Sequence, residues 1–175
     1  MATLKSSDPT PLSFNVDDAD VPRVSRYQWY LHVNNNLRTR VFMKRLRWND
    51  RLQIIEEDPE SKTTPVWIPL DRFVLAITPH TNTRIVHPPG GIPSKDGDRL
   101  ECRRKWMRIE PKVQGRHKFI GIEKLNNGKW CAYDPKMGMI GSNTFTMEEL
   151  AAREYDKYIV QQSPRVIKTN FYYNL

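Results

Sequence analysis

Four side chains could in principle make a zinc site: His87, Cys102, His117 and Cys131. Structural zinc sites are built from close pairs such as Cys-x-x-Cys or His-x-x-x-His. Neither pair occurs here, so each cysteine reads as a small buried or half-exposed thiol. Neither a metal nor another cofactor is expected.

The denser chemical signal is cationic. Arg99, Arg103, Arg104, Lys105, Arg108, Lys112, Arg116 and Lys118 stand against only Glu101 and Glu110, in a chain of 175 residues whose net charge is +8. Such clusters neutralise phosphates and release condensed counterions. Trp106 and Met107 interrupt the run. An exposed tryptophan stacks on bases, but one beside a short helix is expected in the core. Lys129 follows in a sheet motif beside Trp130, also expected in the core. A second basic run, Arg38 to Arg51, carries six bases, one acid and Trp48. These charges call for a polyanionic partner, DNA or structured RNA. No run nears the ~20 apolar residues of a membrane span. Met1 to Pro11 has no apolar signal core, which predicts an intracellular protein, whether nuclear, organellar, or viral or bacterial.

The elements that must position these residues follow from periodicity. Residues 1–13, with Pro9 and Pro11, read as a flexible or partner-bound arm. Asp17 or Asp18 is placed to cap a helical turn. Strands are predicted at Tyr27–Val33, Arg40–Leu46 and Val66–Leu70, with a turn at Asn34-Asn35-Asn36, an acidic loop at Glu56 to Glu60 and a short helix at Arg72–Ala76. Phe119–Glu123 and Lys129–Tyr133 form a hairpin around Asn126-Asn127-Gly128, and Met139–Phe145 supplies a third strand. Thr146 and Glu149 then spell a capping box. Ala151, Ala152, Tyr155, Tyr158 and Ile159 share one helical face, and Ser163-Pro164 ends the helix.

Phe119 to Phe171 resembles the DNA-binding domain of plant ethylene-response factors, the Apetala family. The matching residues are Gly121, Gly128-Lys129-Trp130, Ala132, Phe145, Glu148 to Asp156 (E-E-L-A-A-R-E-Y-D) and Asn170-Phe171. The resemblance implies a three-stranded antiparallel sheet on one helix, its exposed face laid into the DNA major groove. The family usually carries arginines, the readers of guanine edges, beside the first-strand glycine and on the next strand. Here Ile120, Glu123 and Asp134 stand instead, so the resemblance implies the fold rather than the sequence readout.

The front half resembles HNH homing endonucleases that carry such a domain. Val16, Asp17, Asp18, Asp20, Ser25, Tyr27 and Trp29 match their opening, and Asp71-Arg72-Phe73 a later strand end. Ile85-Val86-His87 and Leu100 to Arg108 match the nuclease core in order. In that family a histidine deprotonates water, while aspartate and asparagine or histidine hold a divalent ion on the phosphate. His87 stands where the base would be. Val86 offers no oxygen, and Cys102 and Trp106 replace the asparagines. His87 therefore reads as a vestigial base, a loop histidine with a structural or phosphate contact.

The sequence thus predicts an α+β protein: the arm at 1–13, a small β-rich region with a degenerate HNH-like segment at 14–110, and an Apetala-type sheet and helix at 111–175. The expected function is non-enzymatic binding of DNA through phosphates, with weak sequence preference. The alternatives are a structural RNA-binding component of a ribosome or other large ribonucleoprotein, alongside other proteins, and a residual metal-dependent HNH nuclease.

Overall fold

The computed structural model describes residues 1–32, 36–87, 99–163, 168–173 and 175; the expected Asn34-Asn35-Asn36 turn and Pro164 therefore lie wholly or partly outside it. The expected arm is a hairpin strand. β1 (Ala2–Lys5) pairs antiparallel with β2 (Ser13–Val16), and Ser7 N–H donates to the Trp29 carbonyl at 2.7 Å. The two prolines sit in the connection, so they cost no ladder bond. The buried Phe14 and Val16 of β2 anchor it in the main core.

Asp18–Asp20 forms a short 3-10 turn leading into α1 (Val21–Val24), without a side-chain cap from Asp17. Then come β3 (Tyr30–Leu31), β4 (Leu37–Met43), β5 (Leu46–Asn49), β6 (Ile54–Glu57) and β7 (Thr64–Pro69). β3, β4 and β7 make one antiparallel sheet. Leu37, Thr39 and Val41 alternate inward from β4, as a sheet covered on one face requires. They meet Ile68 and α2 (Leu70–Leu75), whose Leu70, Phe73 and Val74 are buried. The predicted strand over Arg40–Leu46 is split after Met43. The expected acidic loop begins as a strand, because Glu56 lies opposite Arg47 in the β5–β6 register and takes two guanidinium bonds at 2.9 and 2.7 Å. β8 (Thr83–Val86) pairs with β9 (Arg108–Pro111).

The C-terminal unit holds β10 (Ile122–Lys124), β11 (Trp130–Asp134) and β12 (Gly138–Met139), an antiparallel three-stranded sheet on α3 (Glu148–Gln162). The α+β architecture expected from the sequence is present. The third strand is shorter than predicted; the chain leaves after Met139 and returns at Phe145, which exchanges two 2.7 Å backbone bonds with Trp130. Ala151 and Ala152 are fully buried, and their small side chains let the helix sit close over Phe119 and Ile122. Gly121, at φ +70, lies directly under the Tyr155 ring: a Cβ there would fall 2.1 Å from it. Tyr155, on the helical face expected from the sequence, thus packs where the chain enters β10.

The capping box is not. Met147 occupies the N-cap position and no side chain caps the helix. Glu148 instead accepts the Lys118 backbone N–H at 2.8 Å, and Glu148 and Glu149 place negative charge in the first turn, where the helix dipole favours it. Further along, Val160 and Ile159 pack against Leu46 and Ile55 of the β5–β6 hairpin. Ile77 joins the C-terminal core and bridges Phe171, while Tyr172 and Leu175 pack on the N-terminal core.

Candidate nucleic-acid interface

The basic segment is pinned by three inward side chains. Glu101, Cys102 and Met107 are buried, and Cys102 N–H donates to the Asn15 carbonyl at 2.9 Å. What lies between, including the 3-10 turn Arg104–Trp106, is pushed outward. Trp106 is 46% exposed, against the expectation of a core position. Met107 takes the inward place, and adjacent residues of a tight turn point different ways. The Trp106 ring lies near two cations, with Lys105 Nζ 5.1 Å and the Arg103 guanidinium 5.8 Å from its centroid.

Not all the expected phosphate binders face solvent alike. Arg103 makes a bidentate pair with Glu101, both contacts at 2.6 Å. Burial disfavours the Glu101 charge, yet the Arg103 bonds hold its carboxyl below the usual range. Arg104 reaches Asp20 at 2.8 and 3.0 Å, and Asp20 also accepts from Arg23 at 2.9 Å. Burial again opposes the charge, and the two guanidinium groups together lower the Asp20 carboxyl. Asp20 and Glu101 therefore engage the guanidinium groups of Arg104 and Arg103, half-burying Arg103 and leaving Arg104 exposed but ion-paired. Lys118 lies 3.8 Å from Glu148, and Arg99 is half-buried.

Lys105, Arg108, Lys112 and Arg116 remain exposed. Lys112 Nζ reaches back to the Thr81 carbonyl at 3.5 Å, and partial burial with Arg72 nearby lowers its pKa. Arg116 sits in the turn at Gly115. Arg108 and Glu110 share the outer face of β9 with Arg84 of β8; Glu110 meets Arg84 at 2.8 Å and Arg108 at 3.7 Å. Arg84 was not singled out from the sequence. Its only signal was alternation on a strand that was not predicted.

Lys129 is exposed in the β10–β11 turn, where Gly128 adopts φ +80. The face of this sheet opposite α3, read from register, carries Glu123, Cys131, Tyr133 and Met139. It bears an acid and no arginine. Trp130 is half-buried on the helix side, with His117 edge-on at 5.1 Å.

His87 is enclosed. Its imidazole lies 3.2 Å from Asp71 Oδ2 and 3.2 Å from the Glu101 carbonyl, with none of the side chain exposed. Arg72 is likewise turned inward, donating to the Thr78 and Thr83 carbonyls at 2.8 Å, and burial lowers its pKa. Phe73 is core, ringed edge-on by Tyr27 and Trp29. Among the described residues no three His, Cys, Asp or Glu side chains are grouped to hold a metal ion. His87, Cys102, His117 and Cys131 form no cluster. The HNH ligand set does not fit either: Val86 has no donor and Cys102 gives its thiol to the Arg99 carbonyl at 3.2 Å.

A groove of about 720 Å³ lies between Lys44, Arg45, Asp58, Lys62 and the tail residues Phe171 and Tyr173. Its charges are mixed and it shares no residue with the basic segment. Among the described residues no helix is long and apolar enough to cross a membrane. Comparison with protein-family models, curated proteins and solved structures gave no match.

Proposed function

We propose that this protein binds nucleic acid without catalysis, mainly through phosphate contacts made by Lys105, Arg108, Lys112 and Arg116. The observation that carries this reading is Trp106, held half in solvent between Lys105 and Arg103 at the head of that basic stretch. Cations fix the backbone of a polynucleotide and the indole offers a stacking surface; neither discriminates sequence. Arg103 and Arg104 act as positioning residues, clamping the turn to Glu101 and Asp20. The buried His87, with both ring nitrogens occupied, supports the absence of phosphodiester hydrolysis.

The reading is tested by titrating the full chain against unrelated DNA duplexes and an RNA hairpin at low and moderate salt. Affinities should be similar across sequences and fall steeply with salt. Lack of binding to every probe overturns the proposal. So does magnesium- or manganese-dependent cleavage that disappears in His87→Ala.

A further inference from the structure

A second surface carries aromatic and cationic groups in alternation. Along β4 the inward Leu37, Thr39 and Val41 leave Arg38, Arg40 and Phe42 on the opposite face. Register places Tyr30 and Pro69 beside Arg38, Trp67 opposite Arg40, and Pro65 opposite Phe42. Three aromatic rings therefore stand on one open sheet face: Phe42 is 60% exposed, Trp67 54% and Tyr30 39%. The Arg40 guanidinium lies 5.1 Å from the Phe42 centroid. Tyr30 OH donates to Gln28 Oε1 at 2.7 Å, which holds that ring in place. Arg38 Nε is buried and has no hydrogen-bond partner among the described residues.

The spacing selects an occupant. Diagonal neighbours on paired strands stand roughly 7–8 Å apart, which is the relation of Trp67 to Phe42. Tyr30 and Trp67 are separated by two strand spacings and two residues, about 12 Å. Duplex bases rise about 3.4 Å and cover one another's faces, so a duplex presents no rings to this platform. A single strand can splay its bases to this spacing, and sheet-borne aromatics that stack two or three bases are an established way of reading one. Arg38 and Arg40, interleaved with the rings, match the phosphates between such bases.

We propose that this face is a stacking platform for two or three consecutive bases of single-stranded nucleic acid, with Arg38 and Arg40 on its phosphates. The residues are distinct from those of the basic segment, so either site can fail without the other.

Fluorescence anisotropy of the full chain with labelled oligothymidylate, oligouridylate and a duplex of equal length tests it. Paired replacement Trp67→Ala and Phe42→Ala should weaken both single strands by about tenfold or more, and duplex binding by less than about twofold. Trp67→Tyr should keep most of the single-strand affinity. Arg40→Gln, which leaves all three rings in place, should flatten the single-strand salt slope by about 0.7. The proposal is overturned if the parent fails to bind single strands. It is also overturned if the aromatic pair can be removed without effect, or if removal weakens duplex and single strand equally. Dissociation of a self-associated parent by the paired replacement, with single-strand affinity unchanged, would reassign the face to protein contact.

Discussion

Asp156 on α3 and Asn170 in the C-terminal tail are locked together by three hydrogen bonds, all within a fully buried space. Asn170 N–H lies 2.8 and 2.9 Å from the two Asp156 oxygens, and its Nδ2 donates to Oδ1 at 2.9 Å. Phe171 N–H and Tyr173 OH add further donors at 3.1 and 3.0 Å. The Asn170 side chain also accepts Ile120 N–H at 2.9 Å and returns a bond to the Ile120 carbonyl at 3.1 Å. One carboxyl and one amide thus tie helix, tail and sheet entry together.

Asp156→Ala should therefore cost about 3–5 kcal/mol, since it leaves several buried donors without an acceptor. Burial outweighs those donors and pushes the Asp156 carboxyl up to about 6 from its usual 3.8. A carboxyl whose folded pKa is raised favours folding in its protonated form. That contribution is complete below about pH 4, declines as pH rises to about 6, and is flat beyond. Chemical denaturation of parent and Asp156→Asn at intervals between pH 4 and 7 checks the sign: the parent's advantage should shrink as pH rises. An advantage that grows over the same range would mean the donors stabilise the anion more than burial opposes it.

Gly121 and Tyr155 should behave as one unit. A methyl group at Gly121 meets both a left-handed backbone and the tyrosine ring. Gly121→Ala should cost about 2–4 kcal/mol, by overpacking and backbone strain together. Tyr155→Ala alone should cost about 2–3 kcal/mol, because the ring is half-buried. The double variant should be less destabilised than the sum, as removal of the ring relieves the clash. Strict additivity in thermal unfolding would show that the ring and the glycine are independent.

Thr146 is exposed and caps nothing. Thr146→Ala should change stability by less than about 0.5 kcal/mol, whereas a capping hydroxyl is worth about 1 kcal/mol. Urea unfolding separates the two values.

The sequence was most legible where local chemistry decides structure. Asn127 and Gly128 specify a turn by their own backbone preferences, and the turn is there, with Lys129 N–H bonded to Asn127 Oδ1 at 3.0 Å. The helix face was readable because Ala151, Ala152, Tyr155 and Ile159 recur at helical spacing among charged neighbours. Where distant partners decide, the reading failed. Glu148 found Lys118 thirty residues away, and the local capping box went unused. Met107 took the inward place that Trp106 was expected to fill. Arg104 looked like a free phosphate binder because Asp20 lies more than eighty residues away in sequence. The aromatic face was invisible for the same reason: Tyr30, Phe42 and Trp67 lie on three strands, and only register brings them together.

The central claim is that phosphate binding belongs to the exposed cations rather than to the clamped arginines. The measurement that tests it most directly is the slope of log affinity against log salt on duplex DNA. Each phosphate neutralised contributes about −0.9 to that slope. Replacing Lys105, Arg108, Lys112 and Arg116 together with glutamine should flatten it by about two to three and a half units and weaken binding at every sequence. Arg104→Gln should leave it nearly unchanged, well short of the roughly 0.9 that one phosphate contact contributes, because Asp20 already holds that charge. A fourfold variant that keeps the parent's affinity and slope would contradict the account.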